Sequence, residues 1–419
     1  MNFSLNDDQR SLVAAIERLC EDFPAEYWRE HDDRAEFPHE FHRAVADSGW
    51  LGIAMPEAQG GAGLGITEAA LMMRAISASG AGMSGASSVH MNIFGLNPVV
   101  VFGSEAQRQR FLPPLIAGRE KACFAVTEPD AGLDTTRLKT QALRQPDGGY
   151  RLHGRKIWIS TAQVADRMLI LARTTPLEQV KKPTQGLTLF YTALDRGKVE
   201  VREIHKLEQV KKPTQGLTLF YTALDRGKVE VREIHKLGRA AVDSNMLFID
   251  GLEVPQEDRI GEEGRGFEYI LHGLNPERIL IAAEAIGIGR AALRIASQYA
   301  QERVVFGRPI GQNQGVAHPL ARAWANLEAA DLMMLKAATL YDAGEPCGIE
   351  ANAAKYLAAE AAHDACQNAV LTLGGMGYAK EYHVERLLRE SYIPRIAPVS
   401  PQMILNFIAE KALGLPKSY

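Results

Sequence analysis

Apolar residues recur three and four positions apart from Asp7 to about Arg119, as in Leu12, Ile16 and Leu19 and again in Leu71, Met72 and Ile76. That spacing lines one face of a helix, so this segment is predicted to be helical, with a break at the glycine-rich PEAQGGAGLG. Between about Cys123 and Pro255 the pattern changes to short β-rich runs, GYRLHGRKIWIS, RMLILART, GLTLFYTAL and NMLFIDGLEVP. Asp-Gly and Asp-Arg-Gly turn signals separate them, which predicts a sheet. Beyond Gly264 helical spacing returns over long alanine-rich segments, RILIAAEAIGIGRAALRIASQYAQER, HPLARAWANLEAADLMMLKAATLYDA and ANAAKYLAAEAAHDACQNAVLTL. Helices, then strands, then helices argue for segregated α and β layers rather than a wound α/β sheet. The expected fold class is therefore α+β multidomain: an N-terminal α-helical domain over 1–121, a middle β-domain over 122–260, and a C-terminal α-helical bundle over 261–419.

Residues 177–206, LEQVKKPTQGLTLFYTALDRGKVEVREIHK, recur without a change as 207–236. Natural repeat proteins have units that drift in sequence and a period that sets the whole architecture, neither of which holds for two identical copies. The exactness favours an origin by engineering or by error over a natural duplication. Each copy reads as two strands joined at Asp195-Arg196-Gly197 or Asp225-Arg226-Gly227. One copy fills a sheet and the other is surplus, since an extra strand pair would expose unpaired edges or compete for register.

Composition narrows the class. The chain has 419 residues, 46% hydrophobic and 23% charged, with a formal charge of −4. This is ordinary globular usage, long enough for several packed domains, and it lacks the basic excess of a nucleic-acid binder. The cysteines at 20, 123, 347 and 366 are scattered without metal-ligand spacing, which suits reduced thiols and predicts no metal site. The opening MNFSLNDDQRSLVAAIERL carries acidic residues where a secretory signal is basic. The apolar run at 279–289 is interrupted by Glu284 and is too short for a membrane span. A cytoplasmic protein is expected, or a matrix protein if the chain is a processed eukaryotic one, with no nucleic-acid or membrane partner.

The stretches CFAVTEPDAGLD (123–134) and HGRKIWIS (153–160) resemble the two signatures of the acyl-CoA dehydrogenase family. The resemblance continues in family order through KLGRAAVDSNMLFIDGLEVP, GEEGRGF, QERVVFGRPIGQNQ and LGGMGYAKEYHVERLLRE, and covers the chain apart from the duplicated unit. It implies a helical N-terminal domain, a β-domain and a C-terminal four-helix bundle, assembled as a homotetramer (a dimer of dimers) with one FAD per subunit. The implied flavin contacts are Phe124, Val126 and Thr127, together with Trp158, Ile159 and Ser160. Thr127 offers a hydroxyl, Trp158 a flat apolar surface, and Ser160 a hydroxyl on the same strand face. Arg303, Phe306 and Gln314 correspond to contacts with the FAD of a neighbouring subunit, and Gly374 and Gly375 to a close backbone approach. Leu371 stands where a glutamine is common.

In this family a carboxylate removes the α-proton of an acyl-CoA while a hydride leaves the β-carbon for the flavin. Many members carry that glutamate in a C-terminal loop, where this chain has Ile396-Ala397-Pro398-Val399-Ser400-Pro401-Gln402 with Pro398 at the position. Isovaleryl- and long-chain-type members supply it from a helix at the start of the C-terminal domain, which here reads Asn275-Pro276-Glu277-Arg278. Glu277 is the expected base. Read locally, the same stretch is a helix start, with Asn275 as cap, Pro276 in the first turn and Glu277 complementing the dipole. Proline lacks the N–H that would activate the thioester carbonyl, so Val399 is the alternative donor. Ser400 and Gln402 are further flavin candidates. On the substrate side stand Leu133, replacing a common serine, Asn275, Arg278 and His90 at the fatty-acyl end of the cavity. The reaction implied is dehydrogenation of an acyl-CoA to the trans-2-enoyl-CoA with electrons passed to electron-transfer flavoprotein. The alternatives are a flavin-dependent oxidase or monooxygenase, or a disabled FAD and acyl-CoA scaffold.

Overall fold

The computed structural model describes residues 4–175, 179, 181, 185–195, 197–203 and 236–418. The chain divides into two compact units. The helical unit comprises Met1–Glu120, Leu237–Val242 and Ile270–Tyr419, and the β unit Lys121–Lys236 and Asp243–Tyr269.

In the helical unit, the N-terminal segment forms α1 (Asp7–Glu21), α2 (Ala25–Arg34), α3 (His39–Asp47), α4 (Ile66–Ile76), α5 (Gly82–His90), α6 (Asn97–Phe102) and α7 (Glu105–Ile116). Helix α1 begins at a capping box in which Asn6 Oδ1 accepts from Gln9 N–H at 2.8 Å, and it buries Leu12, Ile16 and Cys20 at the predicted spacing. The C-terminal segment forms α8 (Gly266–Glu302), α9 (Gln314–Asp342), α10 (Gly348–Leu373), α11 (Val384–Glu390), α12 (Ile393–Ile396) and α13 (Pro401–Lys411). No helix among the described residues is long and apolar enough to cross a membrane.

Side chains from distant sequence satisfy helix ends that local sequence leaves open. Gly65 precedes α4 and has no side chain to cap it, so the carboxylate of Asp342 accepts from Ile66 N–H at 2.7 Å and Thr67 N–H at 2.9 Å. Asp342→Ala is expected to cost about 1–2 kcal/mol, the range for losing a charged cap, read as a lower urea midpoint. At the start of α5, buried Glu390 accepts from Met83 N–H at 2.6 Å and Ser84 Oγ at 2.8 Å, and pairs with Arg386 at 3.1 Å. Gly82 has φ +59, and a Cβ there would meet Glu390 Oε2 at 2.3 Å, so only glycine lets α5 start against this carboxylate. The anchoring of α5 fixes His90 at its other end.

The β unit holds β1 (Ala122–Ala125), β2 (Gln141–Arg144), β3 (Tyr150–Ser160), β4 (Arg167–Arg173), β5 (Leu187–Ala193), β6 (Val199–Glu203), β7 (Ser244–Val254) and β8 (Arg259–Ile260). The sheet order is β6-β7-β3-β2-β4-β5-β8, with β1 parallel to β4. Leu152, Met168, Ile170, Phe190, Leu247 and Ile249 belong to its buried core. The first repeat copy supplies β5 and β6. Their turn begins with Asp195, whose Oδ1 accepts from Gly197 N–H at 2.9 Å, yet the two strands do not pair with each other. β5 lies between β4 and β8, while β6 lies on β7. The second copy lies outside the described residues, apart from Lys236. Deleting either copy produces the same polypeptide. That shorter chain is expected to melt no lower than the parent by circular dichroism, because every described partner of β5 and β6 is retained.

A short antiparallel hairpin, β9 (Val304–Val305) with β10 (Arg308–Pro309), joins α8 to α9 in the helical unit.

Candidate active site

Two signature stretches meet in the β unit. The loop after β1, Thr127–Gly132, closes on itself through reciprocal backbone hydrogen bonds between Glu128 and Ala131. Ile157 N–H donates to Thr127 C=O at 3.0 Å, which places the loop against β3 next to Trp158. Beneath them Lys156, fully buried, donates from Nζ to Val126 C=O at 3.0 Å, Glu128 Oε1 at 2.8 Å and Leu171 C=O at 2.8 Å. Glu128 also accepts from Lys139 N–H at 2.7 Å and Thr140 N–H at 3.0 Å. Burial pulls the Lys156 ammonium down to about 8 although Glu128 opposes it. Burial pushes the Glu128 carboxyl up, but Lys156 and the hydrogen-bond donors hold it below the ordinary carboxylate range. A buried pair with its remaining lone pairs satisfied locks the loop to the strand.

Trp158 is 52% exposed, with φ +61. The pairing of β3 with β7 shifts register between Lys156 and Ile159, and a left-handed backbone at a bulky residue is a genuine outlier. The shift turns the indole outward from a strand whose neighbour Ile159 is buried. Buried Asn245 secures the irregular backbone, donating to Ile159 C=O at 2.9 Å and accepting from Gln163 Nε2 at 2.9 Å. Val126 is buried, Phe124, Thr127 and Ser160 are half-buried, and Leu133 is exposed on the segment after the loop. The structure thus brings Val126 and Thr127 against β3 beside Trp158, with Ser160 two residues further along that strand. Lys156, Glu128 and Asn245 were missed by the sequence reading. A lysine inside an otherwise apolar strand was the available signal.

In the helical unit α8 runs unbroken through Pro276, so the local reading of a helix start at Asn275 is overturned. The cause is tertiary: Ile279, Leu280, Ala282, Ala283 and Ile286 are buried, and this packing outweighs the lost backbone hydrogen bond and crowding of one proline. No helix N-terminus therefore acts on Glu277. Asn275 Oδ1 accepts instead from Arg278 Nη1 at 3.2 Å. Burial pushes the Glu277 carboxyl up to about 7, with His90, Arg278 and Lys355 drawing it down and Glu284 raising it. His90 Nδ1 lies 2.5 Å from Glu284 Oε1, and both residues are buried. His90 thus stands in an acid–base cluster with Glu277.

Arg278 also lines a cavity of 160 Å³ together with Asn352, Val399 and Met403. Lys355, nearly fully buried, donates from Nζ to Val399 C=O at 2.6 Å, tying the Ile396–Gln402 loop to α10. Burial pulls its ammonium down to about 8. Ser400 caps α13, accepting from Met403 N–H at 3.4 Å, and Gln402 is exposed. Phe306, at φ +52 in the β9–β10 turn, is fully exposed, and Arg303 and Gln314 flank the hairpin, also exposed. A Cβ at Gly374 or Gly375 would meet nothing within 4 Å, which leaves open backbone beyond α10, and Leu371 is exposed on its last turn.

Family models for the acyl-CoA dehydrogenase N-terminal, middle and C-terminal domains match residues 6–119, 123–211 and 264–413. The chain is 33% identical over 422 residues to an acyl-CoA dehydrogenase, fadE12, of Mycobacterium bovis, covering 100% of this chain and 99% of that one. It is 32% identical over 384 residues to the caffeyl-CoA reductase-Etf complex subunit CarC of Acetobacterium woodii, covering 90% and 91%. Among solved structures it is similar to butyryl-CoA dehydrogenase from Megasphaera elsdenii, with a TM-score of 0.86, 28% identity, and coverage of 99% and 100%.

Proposed function

From the premise that the chain belongs to the acyl-CoA dehydrogenase family, we propose that it oxidises an acyl-CoA thioester between Cα and Cβ to the trans-2-enoyl-CoA. Electrons then pass to an electron-transfer flavoprotein. The observation that carries this reading is Glu277, a carboxyl held at about 7 inside a cluster with His90, Arg278 and Lys355. A base is most effective when its pKa lies near the working pH, and burial supplies that match here.

FAD is the cofactor of the family. The residues of this chain fit it: an outward-turned indole at Trp158 held by a locked loop, and open backbone at Gly374 and Gly375 where a side chain would otherwise stand. Trp158 and the backbone and hydroxyl of Thr127 and Ser160 would hold the flavin ring, with Phe124, Val126 and Ile159 shaping the strand and loop beside them. Ser400 and Gln402 would add polar contacts. Arg303, Phe306 and Gln314, exposed around one hairpin, would reach the FAD of a neighbouring subunit in a homotetramer. When bound, FAD supplies the acceptor for the hydride that leaves Cβ.

Glu277 takes the α-proton onto a carboxylate oxygen as the carbon–carbon double bond forms. Arg278 and Asn275, tied by their hydrogen bond, lie one and two residues away and are read as contacts to the thioester arm. Pro398 offers no N–H, so hydrogen bonding to the thioester carbonyl falls to Val399, whose own carbonyl is held by Lys355. Leu133 contributes an apolar contact in place of a hydroxyl. The test is anaerobic addition of short, branched and medium acyl-CoAs to the flavin-loaded protein. One class is expected to bleach the flavin absorbance and to yield the 2-enoyl-CoA by mass spectrometry. A flavin that no thioester bleaches overturns the proposal.

A further inference from the structure

His90 and Glu284 are buried hydrogen-bond partners whose pairing substrate positioning alone does not explain. Glu284 lies seven residues after Glu277 on α8, two turns along nearly the same face, and His90 comes from the end of α5. The pair is short, at 2.5 Å, and the imidazole lies within electrostatic reach of Glu277. Glu284 Oε2 is buried and receives no hydrogen bond among the described residues. A glutamine could accept the same single bond from the imidazole, so that bond alone does not call for a carboxylate. The carboxylate makes sense if its charge is what the site uses.

We propose that the His90–Glu284 pair is a positioning device for Glu277, in which Glu284 keeps a proton on His90 and the resulting imidazolium holds the Glu277 carboxylate ready to accept the α-proton. This rests on Glu277 being the base. The charged groups around Glu277 are His90 from α5, Arg278 and Glu284 from α8, and Lys355 from α10. Around His90 they are Glu284, Glu277 and Arg239, the last from Leu237–Val242. Burial is the largest influence and works against a charged imidazole, but Glu284 and Glu277 together raise His90 above the ordinary histidine range.

The experiment follows the pH dependence of flavin bleaching by the best acyl-CoA in the parent protein, in His90→Gln and in His90→Gln/Glu284→Gln. In His90→Gln the carboxylate of Glu284 is left without its cation, so Glu277 ionises less readily. The rising limb is expected to move up by about one pH unit, a tenfold slower reaction on the acid side. Removing both charges brings the limb back toward the parent. A limb that stays in place in His90→Gln, or a double variant that matches the single one, overturns the proposal. A second readout needs no active variant: histidine-selective ¹⁵N NMR of the flavin-loaded protein, with His90 identified by its change in Glu284→Gln. Imidazolium persisting above pH 7 is expected, and an imidazole already neutral at pH 6 overturns the proposal. Should Glu277→Gln still bleach, it is the assignment of the base that fails, a result independent of both readouts.

Discussion

Glu277→Gln is expected to slow bleaching of the flavin by acyl-CoA by a hundred- to ten-thousand-fold, the usual range for removing a positioned general base. The amide is close in size and cannot accept a proton, so FAD content and melting temperature are expected to stay at parent levels. The pH profile of the parent carries the sign. A carboxyl base works only when ionised, so the rate of the free enzyme rises with pH through about 7 and levels off above it. A limb near 4.5, the ordinary glutamate value, would mean that burial does not act on this carboxyl. Stopped-flow absorbance under nitrogen, with saturating and subsaturating thioester, separates loss of chemistry from loss of binding. A variant that bleaches at the parent rate moves the base to another residue.

Lys156→Met is expected to destabilise the protein by about 3–5 kcal/mol, because it leaves the Glu128 carboxylate buried without its cation. The same change removes the donor to Val126 C=O and Leu171 C=O, two backbone acceptors with little access to water. Urea unfolding followed by tryptophan fluorescence measures the loss. The loop from Thr127 to Gly132 loses its side-chain tie to β3 and keeps only the Ile157 backbone bond, so the flavin should dissociate from the variant at lower denaturant than it does from the parent. Lys156→Met/Glu128→Gln removes both charges and should recover part of the stability, since an amide can still accept from Thr140 N–H. Equal stability of parent and single variant would show that the buried pair contributes nothing to the loop.

Much of the candidate site is legible in the sequence because its residues sit in contiguous stretches. Thr127 and Trp158 stand in two short motifs, and the structure joins those motifs by a backbone hydrogen bond from Ile157 and by the bonds of Lys156 to Val126 and Glu128. Glu277 and Arg278 are neighbours on one helix. The supporting residues were not legible. Lys156, Glu128, Asn245, Lys355 and Glu284 act through partners eleven or more residues away or on other elements, and no local pattern records such pairings. His90 was visible only as a lining residue, and its ionic partner lies 194 positions further along the chain.

By itself, the sequence determined the order of helical and β segments and the family, because hydrophobic period and short motifs are local properties that survive without tertiary contacts. It also exposed the exact repeat, from which the structure uses the first copy for β5 and β6. Only the tertiary structure decided that α8 continues through Pro276, since the penalty of one proline is small beside the burial of a long apolar face. The same is true of the chemistry of Glu277. A carboxyl at a helix start would be held low by the dipole, whereas one buried in the middle of a helix is pushed up. That choice depends on what packs around it, which no local pattern states.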